Sequence, residues 1–451
     1  MKKVITYGTF DLFHEGHYRL LQRAKNLGDY LIVGVTTESY DEARGKLNVV
    51  DSLVTRIENV RKTGFADEII IEEAPGQKVS DVKKHQVDIF TVGSDWAGTF
   101  DYMSDYCEVI YLERTKNISS TILREQNRQI QKVGIIGTGR IANRFMPEVK
   151  LVSGISVHGV YNPNKESAIK FANKWEIDPY EDVNEFFNAV DAVYIATPHA
   201  THYGYVKKAL QKGKHVLCEK PMALKREQVE ELYQYANEND LILFEGIKTA
   251  YCPGFDKLLS IACSGTIGRI SYIDACFTKL ESPSTRELTD EIYGGSFIEL
   301  GSYCLLPIIK LFGDQYEDIQ FDSIRESNNL DIFTKASLKY ANRIATVTCG
   351  LGVKSEGRLL IGGTKGYIVA EAPWWKTSYF EVHYEDPSEV EKYSERFLGD
   401  GLRYEIRDFL NMINGCNKSK FKLTRSDSIV LADIMEQFMI AEKRKYEDMG
   451  A

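Results

Sequence analysis

The chain has no stretch approaching the roughly 18 consecutive apolar residues that a bilayer-crossing helix needs. It also opens without a charged region followed by a long apolar one, the pattern of a secretory leader. These absences predict a cytoplasmic protein that does not insert into membranes. Its eight cysteines form no Cys-x-x-Cys pair or other metal-type spacing, so reduced thiols are expected and neither a zinc site nor a disulfide framework is. Basic residues are outnumbered, 56 Lys and Arg against 65 Asp and Glu, for a formal charge of -9. Phosphate backbones select basic surfaces, so nucleic acid is excluded as a main partner and any bound nucleotide is expected to be a small molecule. No internal repeat is present.

What is present is an alternation of strand-like and helix-like segments over a length that exceeds one ordinary core. Apolar runs at Lys3 to Tyr7, Tyr30 to Val35, Glu68 to Ile71, Ile89 to Val92 and Glu108 to Tyr111 alternate with helical patterns. The polar run Leu123 to Gln131 reads as an exposed helical tail, and a second alternation starts at Lys132. After about Pro253 longer alternating segments, such as Ile270 to Lys279 and Arg343 to Cys349, predict an antiparallel sheet, and helices close the chain near Tyr404 to Ile413 and Ser426 to Lys445. The predicted class is α/β, with two doubly wound, Rossmann-like parallel-sheet units in series and an α+β domain with a largely antiparallel sheet after the second. The expected divisions are 1–126, a linker at 127–131, a dinucleotide-binding unit at 132–252 and a substrate or oligomerisation domain at 253–451.

Phe13-His14-Glu15-Gly16-His17 follows the first strand. Two histidines three residues apart at a helix start face the same side, where unpaired amides and the positive dipole end attract anions. Gly16 permits close backbone approach, and Gly8-Thr9-Phe10-Asp11 makes the turn out of the strand. The stretch Ile5 to His17 resembles the signature of the glycerol-3-phosphate cytidylyltransferase branch of the nucleotidyltransferases. Gly93-Ser94-Asp95-Trp96 and Arg114-Thr115-Lys116-Asn117-Ile118-Ser119-Ser120-Thr121 resemble that family's later segments, with Asn117 in place of its glycine and Ser120 in place of a threonine. The resemblance spans about the first 125 residues and implies attack by a phosphate oxygen on the α-phosphate of CTP, with pyrophosphate leaving. It assigns His14 and His17 to the α-phosphate, Arg114 and Lys46 to the phosphates, and Ser119 and Thr121 to a helix start binding the β- and γ-phosphates, with Ser120 also in the nucleotide site. Asp95 joins the nucleotide site, and Mg2+ enters with CTP rather than on protein side chains.

Gly137-Thr138-Gly139-Arg140-Ile141-Ala142 stands between a strand and a helix, the setting a dinucleotide fingerprint requires. The next strand ends in Asn162 with Lys165 nearby, where an NAD-preferring site places an acid, and this tilts the cofactor toward NADP over NAD. Further on come Ala196-Thr197-Pro198-His199, His202 and Glu219-Lys220-Pro221, then Gly294 to Cys304 with Tyr303. Together these resemble the glucose-fructose oxidoreductase and inositol dehydrogenase family from about Lys132 onward. The resemblance implies that Lys220 polarises a carbonyl and, as a nearby cation, lowers the pKa of Tyr303, the proton donor, with Thr197, Pro198, His199, His202 and Glu219 near the cofactor. His202 has a second reading as a cap of the helix that follows.

Two chemistries on one chain imply a bifunctional enzyme that reduces a sugar or ketose phosphate with NAD(P)H and joins the resulting alditol phosphate to CMP. Its partners are then CTP and a sugar or alditol phosphate, and assembly as a homo-oligomer, dimer or tetramer, is expected. Two other readings remain open: an NAD(P)-sensing module beside the transferase, or a dehydrogenase acting after transfer on a CDP-linked sugar.

Overall fold

The computed structural model describes residues 1–451 except 12, 38–39, 42–48, 50, 52, 75, 114–129, 415–421 and 450–451, and at 54, 95 and 443–449 it describes the backbone only. Two compact units emerge, Met1–Gln131 with Lys150–Ser156, and Lys132–Val149 with Val157–Ala451.

The first unit is built on five parallel strands, β1 (Lys3–Gly8), β2 (Tyr30–Thr36), β3 (Glu68–Glu72), β4 (Ile89–Gly93) and β5 (Glu108–Leu112), in the order β3-β2-β1-β4-β5. Helices cover both faces, so the strands are apolar on both sides rather than alternating with polar residues. Val4, Leu31, Val33 and Ile89 pack with Leu21 and Ala24 of helix Glu15–Lys25 on one face. Ile5, Ile32, Phe90 and Val92 pack with Val82 of helix Gln77–His85 on the other. The strand order reverses between β1 and β4, and ligands of open α/β sheets bind at the carboxyl ends of the strands at such a reversal.

The second unit repeats the plan with β6 (Gln131–Ile136), β7 (Ile155–Tyr161), β8 (Asp178–Tyr180), β9 (Ala192–Ile195), β10 (His215–Glu219) and β11 (Leu243–Gly246), ordered β11-β10-β9-β6-β7-β8. Its reversal lies between β6 and β9, which run parallel with Val133 beside Ala192 and Ile136 beside Ile195.

A third sheet of eight strands follows, β12 (Ile270–Thr278), β13 (Asp318–Arg325), β14 (Asp331–Tyr340), β15 (Arg343–Gly350), β16 (Leu359–Gly363), β17 (Gly366–Ala370), β18 (Tyr379–Tyr384) and β19 (Val390–Ser394). All its pairs are antiparallel except β12 with β15. Gly362 to Gly366 form the tight hairpin between β16 and β17. Helix Ser296–Phe312 is apolar nearly all round because it is covered twice, by β12, β14 and β15 and by helix Arg425–Met449. The closing helices return to the dinucleotide-binding part. Ile429 and Ala432 join its core, and Arg403 on helix Leu402–Ile413 forks onto Glu148 of helix Arg140–Val149 at 2.6 and 2.9 Å, both side chains buried. Among the described residues no helix is long and apolar enough to cross a membrane.

Candidate functional site

In the first unit β1 ends in a strained turn. Phe10 has φ of 53°, and a Cβ on Gly8 would sit 3.0 Å from its ring, so position 8 tolerates little beyond glycine. Beneath the turn lies a buried polar lattice. Thr9 donates to Asp41 (3.0 Å), Arg56 donates to the carbonyls of Thr9 (2.9 Å) and Thr36 (2.7 Å), and Asp11 accepts from the Asp51 amide (2.8 Å). His14 caps helix Glu15–Lys25, its Nδ1 accepting the Gly16 N–H at 3.0 Å. An acceptor nitrogen carries no proton, so the ring N–H of the neutral imidazole is on Nε2. His17 stacks on His14 with centroids 3.8 Å apart and meets the edge of Phe10 at 5.4 Å. The two histidines thus form one block at a helix N-terminus on the carboxyl side of β1, at the sheet's reversal.

Two buried pairs stand on the other side of β1 that sequence reasoning passed over. Lys78 pairs with Glu72 and lies over the Tyr7 ring at 4.6 Å, while the Tyr7 hydroxyl donates to Asp81 at 3.0 Å. A Lys in a polar-looking helix start gave no signal, since the burial comes from the ends of β1 and β3. Lys46, Arg114, Ser119, Ser120, Thr121 and the side chain of Asp95 lie outside the described residues.

In the second unit Gly137 has φ of 105°, and a Cβ there would come within 2.4 Å of the Ala196 carbonyl oxygen, so only glycine lets the β6 turn pass the end of β9. A Cβ on Gly139 would meet nothing within 4 Å, which leaves open space where a pyrophosphate needs it. Thr138 is braced by Asn162 (2.8 Å) and Ser167 (2.7 Å), and Ala142 packs fully buried. These features fit a dinucleotide. Two side chains expected at the cofactor are held in ion pairs. Arg140 reaches Glu287 at 3.0 Å, and Lys165 reaches Glu181 at 2.6 Å. Ile141, next to Arg140, is half-buried in the first turn of the helix.

The second set converges on Glu299, a residue that sequence reasoning did not single out. Lys220 donates to the Glu299 carbonyl at 2.7 Å and to its Oε1 at 3.2 Å, and lies 5.4 Å from the Tyr303 ring centroid. His199 Nε2 stands 3.5 Å from Glu299 Oε2. Glu299 and Tyr303 are one helical turn apart, so both reach the end of β10. Burial, then the Lys220 ammonium, pushes His199 well below the usual histidine range, which makes it a neutral imidazole. Tyr303 moves opposite to expectation: burial, then the charges of Glu219, Glu299 and Glu405, push its hydroxyl well above the usual value. Tyr303 thus keeps its proton more tightly than a free phenol.

His202 is fully buried, with ring nitrogens 2.8 Å from the carbonyls of Pro221 and Thr197; burial lowers its pKa, so the neutral ring donates to one of the two, according to its tautomer. It does not cap helix His199–Gln211, whose N-cap is Pro198. Pro198 is the residue that precedes helix His199–Gln211, and the Thr197 hydroxyl accepts from Thr201 at 2.8 Å. Glu219 is buried under the sheet end, accepting from Tyr194 at 2.5 Å. A cavity of about 310 Å3 opens beside His199 between Tyr203, Tyr293 and Met439, without Lys220 or Tyr303 in its wall.

Comparison with known proteins sorts these two sites. Residues 5–126 match the cytidylyltransferase-like family, 131–247 the oxidoreductase family with NAD-binding Rossmann fold, and 255–369 the GFO/IDH/MocA C-terminal domain. A glycerol-3-phosphate cytidylyltransferase of Bacillus spizizenii is 50% identical over 125 residues, 28% of this chain and 96% of that protein. A trans-1,2-dihydrobenzene-1,2-diol dehydrogenase of Sus scrofa is 29% identical over 320 residues, 67% of this chain and 94% of that protein. Among solved structures, a 3-ketoreductase from Actinomadura kijaniata in complex with NADP and TDP-benzene superposes with a TM-score of 0.59 at 22% identity, covering 68% of this chain and 96% of that one.

Proposed function

Because the chain belongs to the cytidylyltransferase family through its first part and to the GFO/IDH/MocA oxidoreductases through the rest, and so is a bifunctional nucleotidyltransferase and oxidoreductase, we propose that it makes a CDP-activated alditol. The oxidoreductase half reduces a sugar or ketose phosphate to an alditol phosphate. The transferase half then joins that phosphate to CMP from CTP and releases pyrophosphate. The observation that carries this reading is the presence on one chain of the His14–His17 block and the Lys220–Glu299–Tyr303 cluster, each at the reversal of its own sheet or at the strand ends beside it.

In the transferase half, His14 Nε2–H and His17 meet the α-phosphate, where attack by the acceptor's phosphate oxygen builds negative charge. Mg2+ enters with the triphosphate. In the oxidoreductase half, bound NAD(P)H supplies the hydride. Lys220 holds the substrate carbonyl oxygen, and the protonated Tyr303 hydroxyl gives its proton to the alkoxide as the carbon accepts the hydride. NADP is favoured over NAD because Asn162 replaces the acid that would repel a 2′-phosphate. The Lys165–Glu181 pair is exposed on both sides and worth only ~0–1 kcal/mol, so it yields Lys165 to a phosphate.

Mass spectrometry of products formed from CTP, NADPH and a panel of three- to six-carbon sugar phosphates tests this. A CDP-alditol whose formation needs all three supports it; consumption of CTP with no dependence on NADPH for any carbonyl precursor sinks it.

A further inference from the structure

Lys248 follows β11 directly, beside the strand that ends in Glu219 and leads into Lys220. It therefore stands at the carboxyl edge of the sheet, on the side where the candidate reduction site lies. Its ammonium makes no hydrogen bond or ion pair with any described residue, although the residue is half-buried. Burial and then the Lys376 ammonium push its pKa down, while Glu405, Glu219 and Asp400 pull the other way. Lys376 leans on Asp400 across 3.7 Å with a third of each side chain exposed, a loose contact. Glu405 is fully buried with neither carboxyl oxygen hydrogen-bonded, and burial, then the Glu219 charge, holds it well above the usual carboxylate range. A partly desolvated ammonium without a partner is costly, and a second cation beside it adds to the cost.

An aromatic wall connects this cation to the reduction site. The Thr249 hydroxyl donates to the Trp375 carbonyl at 2.8 Å, Trp375 lies flat on Phe277 with centroids 3.5 Å apart, and Phe277 meets Tyr303 at 5.5 Å. Lys248 precedes Thr249 at one end of this wall, and Tyr303 stands at the other.

We propose that Lys248, with Lys376 beside it, is the subsite for the phosphate of the carbonyl substrate. A phosphate dianion there gives both ammonium groups charge-assisted hydrogen bonds and offsets their repulsion. The proposal rests on the reading that the oxidoreductase half takes a phosphorylated sugar or ketose, and the experiment separates the two.

NADPH oxidation by the full-length enzyme is followed with each sugar phosphate of the panel and with its phosphate-free counterpart, for the wild type, Lys248→Met, Lys248→Arg and Lys376→Met. Wild type is expected to prefer the phosphorylated form and to be inhibited competitively by inorganic phosphate. Lys248→Met should raise KM for the phosphorylated substrate about 10- to 100-fold, the scale of one lost charge-assisted contact, with a small change in kcat. It should also abolish inhibition by inorganic phosphate, while Lys248→Arg restores part of both. NADPH affinity, read by fluorescence, certifies that the variants are folded; if Lys248→Met fails that check, Lys376→Met carries the same comparison. If the wild type turns over a phosphorylated substrate and neither Met variant changes its KM, the subsite is wrong and the reading of function stands. If the wild type reduces only phosphate-free carbonyls, the reading of function falls and the subsite with it.

Discussion

At position 14 one imidazole divides its work between two nitrogens. Nδ1 takes the Gly16 N–H at the start of the helix, which puts the ring N–H of the neutral imidazole on Nε2. The two contributions separate by substitution. His14→Asn keeps a side-chain acceptor at the N-cap and removes the Nε2–H donor, so cytidylyl transfer should fall about 10²- to 10³-fold with the melting temperature unchanged, the loss expected for one transition-state donor. His14→Ala should show the same loss of rate and an added destabilisation of ~1 kcal/mol from the missing cap. Pyrophosphate release and thermal melting of both variants check this; full activity in His14→Asn would reduce His14 to a cap. Local motifs of this kind are readable in sequence because all their parts lie within a few residues. Glu299 was not, since its meaning comes from Lys220, 79 residues earlier in the chain. Likewise the acidity of Tyr303 is set by Glu219 and Glu405, which only folding brings near.

Helix Ser296–Phe312 places Glu299 and Tyr303, yet the residue before it, Gly295, offers no side-chain cap. The cap comes from β14: Asp331 Oδ2 accepts the Phe297 N–H at 2.9 Å, and a Cβ on Gly295 would collide with Asp331 Oδ1. Burial pushes the Asp331 carboxyl up to about 6, against the downward pull of its hydrogen bonds from Thr334 and Phe297. A carboxyl raised above its unfolded value near 3.9 holds its proton more tightly when folded. Its contribution to stability is fully present below about pH 4 and is lost as pH rises through about 6, on the order of 2–3 kcal/mol for this group. Asp331→Asn keeps an acceptor for Phe297 and cannot ionise. The melting temperature of that variant relative to wild type should therefore climb from pH 4 to pH 7; a constant difference across that range would refute the buried titration. The parallel strands were legible because burial on both faces makes them continuous apolar runs, as at Ile89-Phe90-Thr91-Val92. Strands such as β13 and β19 carry polar residues at most exposed positions and lie at the edges of their sheet, so their runs resemble loops.

On the scale of the molecule, two sheets of five and six strands each reverse their order once, and each set of candidate residues is drawn to the strand ends of a single sheet. His14 and His17 depend on β1 and its helix, while Lys220, Glu299 and Tyr303 depend on β10 and the helix that β14 caps. Nothing in the chemistry of either set requires a residue of the other, so the two activities are expected to fail independently. Lys220→Ala should lower carbonyl reduction by about 10²- to 10⁴-fold, the range for a lost acid-base or polarising group, and leave cytidylyl transfer to a supplied alditol phosphate intact. His14→Asn should do the reverse. Mixing the two purified variants with CTP, NADPH and the carbonyl precursor then becomes informative, because the alditol phosphate made by one must travel to the other through solvent. Product should return with a lag that shortens as protein concentration rises. An equal mixture that makes no CDP-alditol at any concentration, although each variant keeps its remaining activity, would mean that the intermediate passes between sites without release.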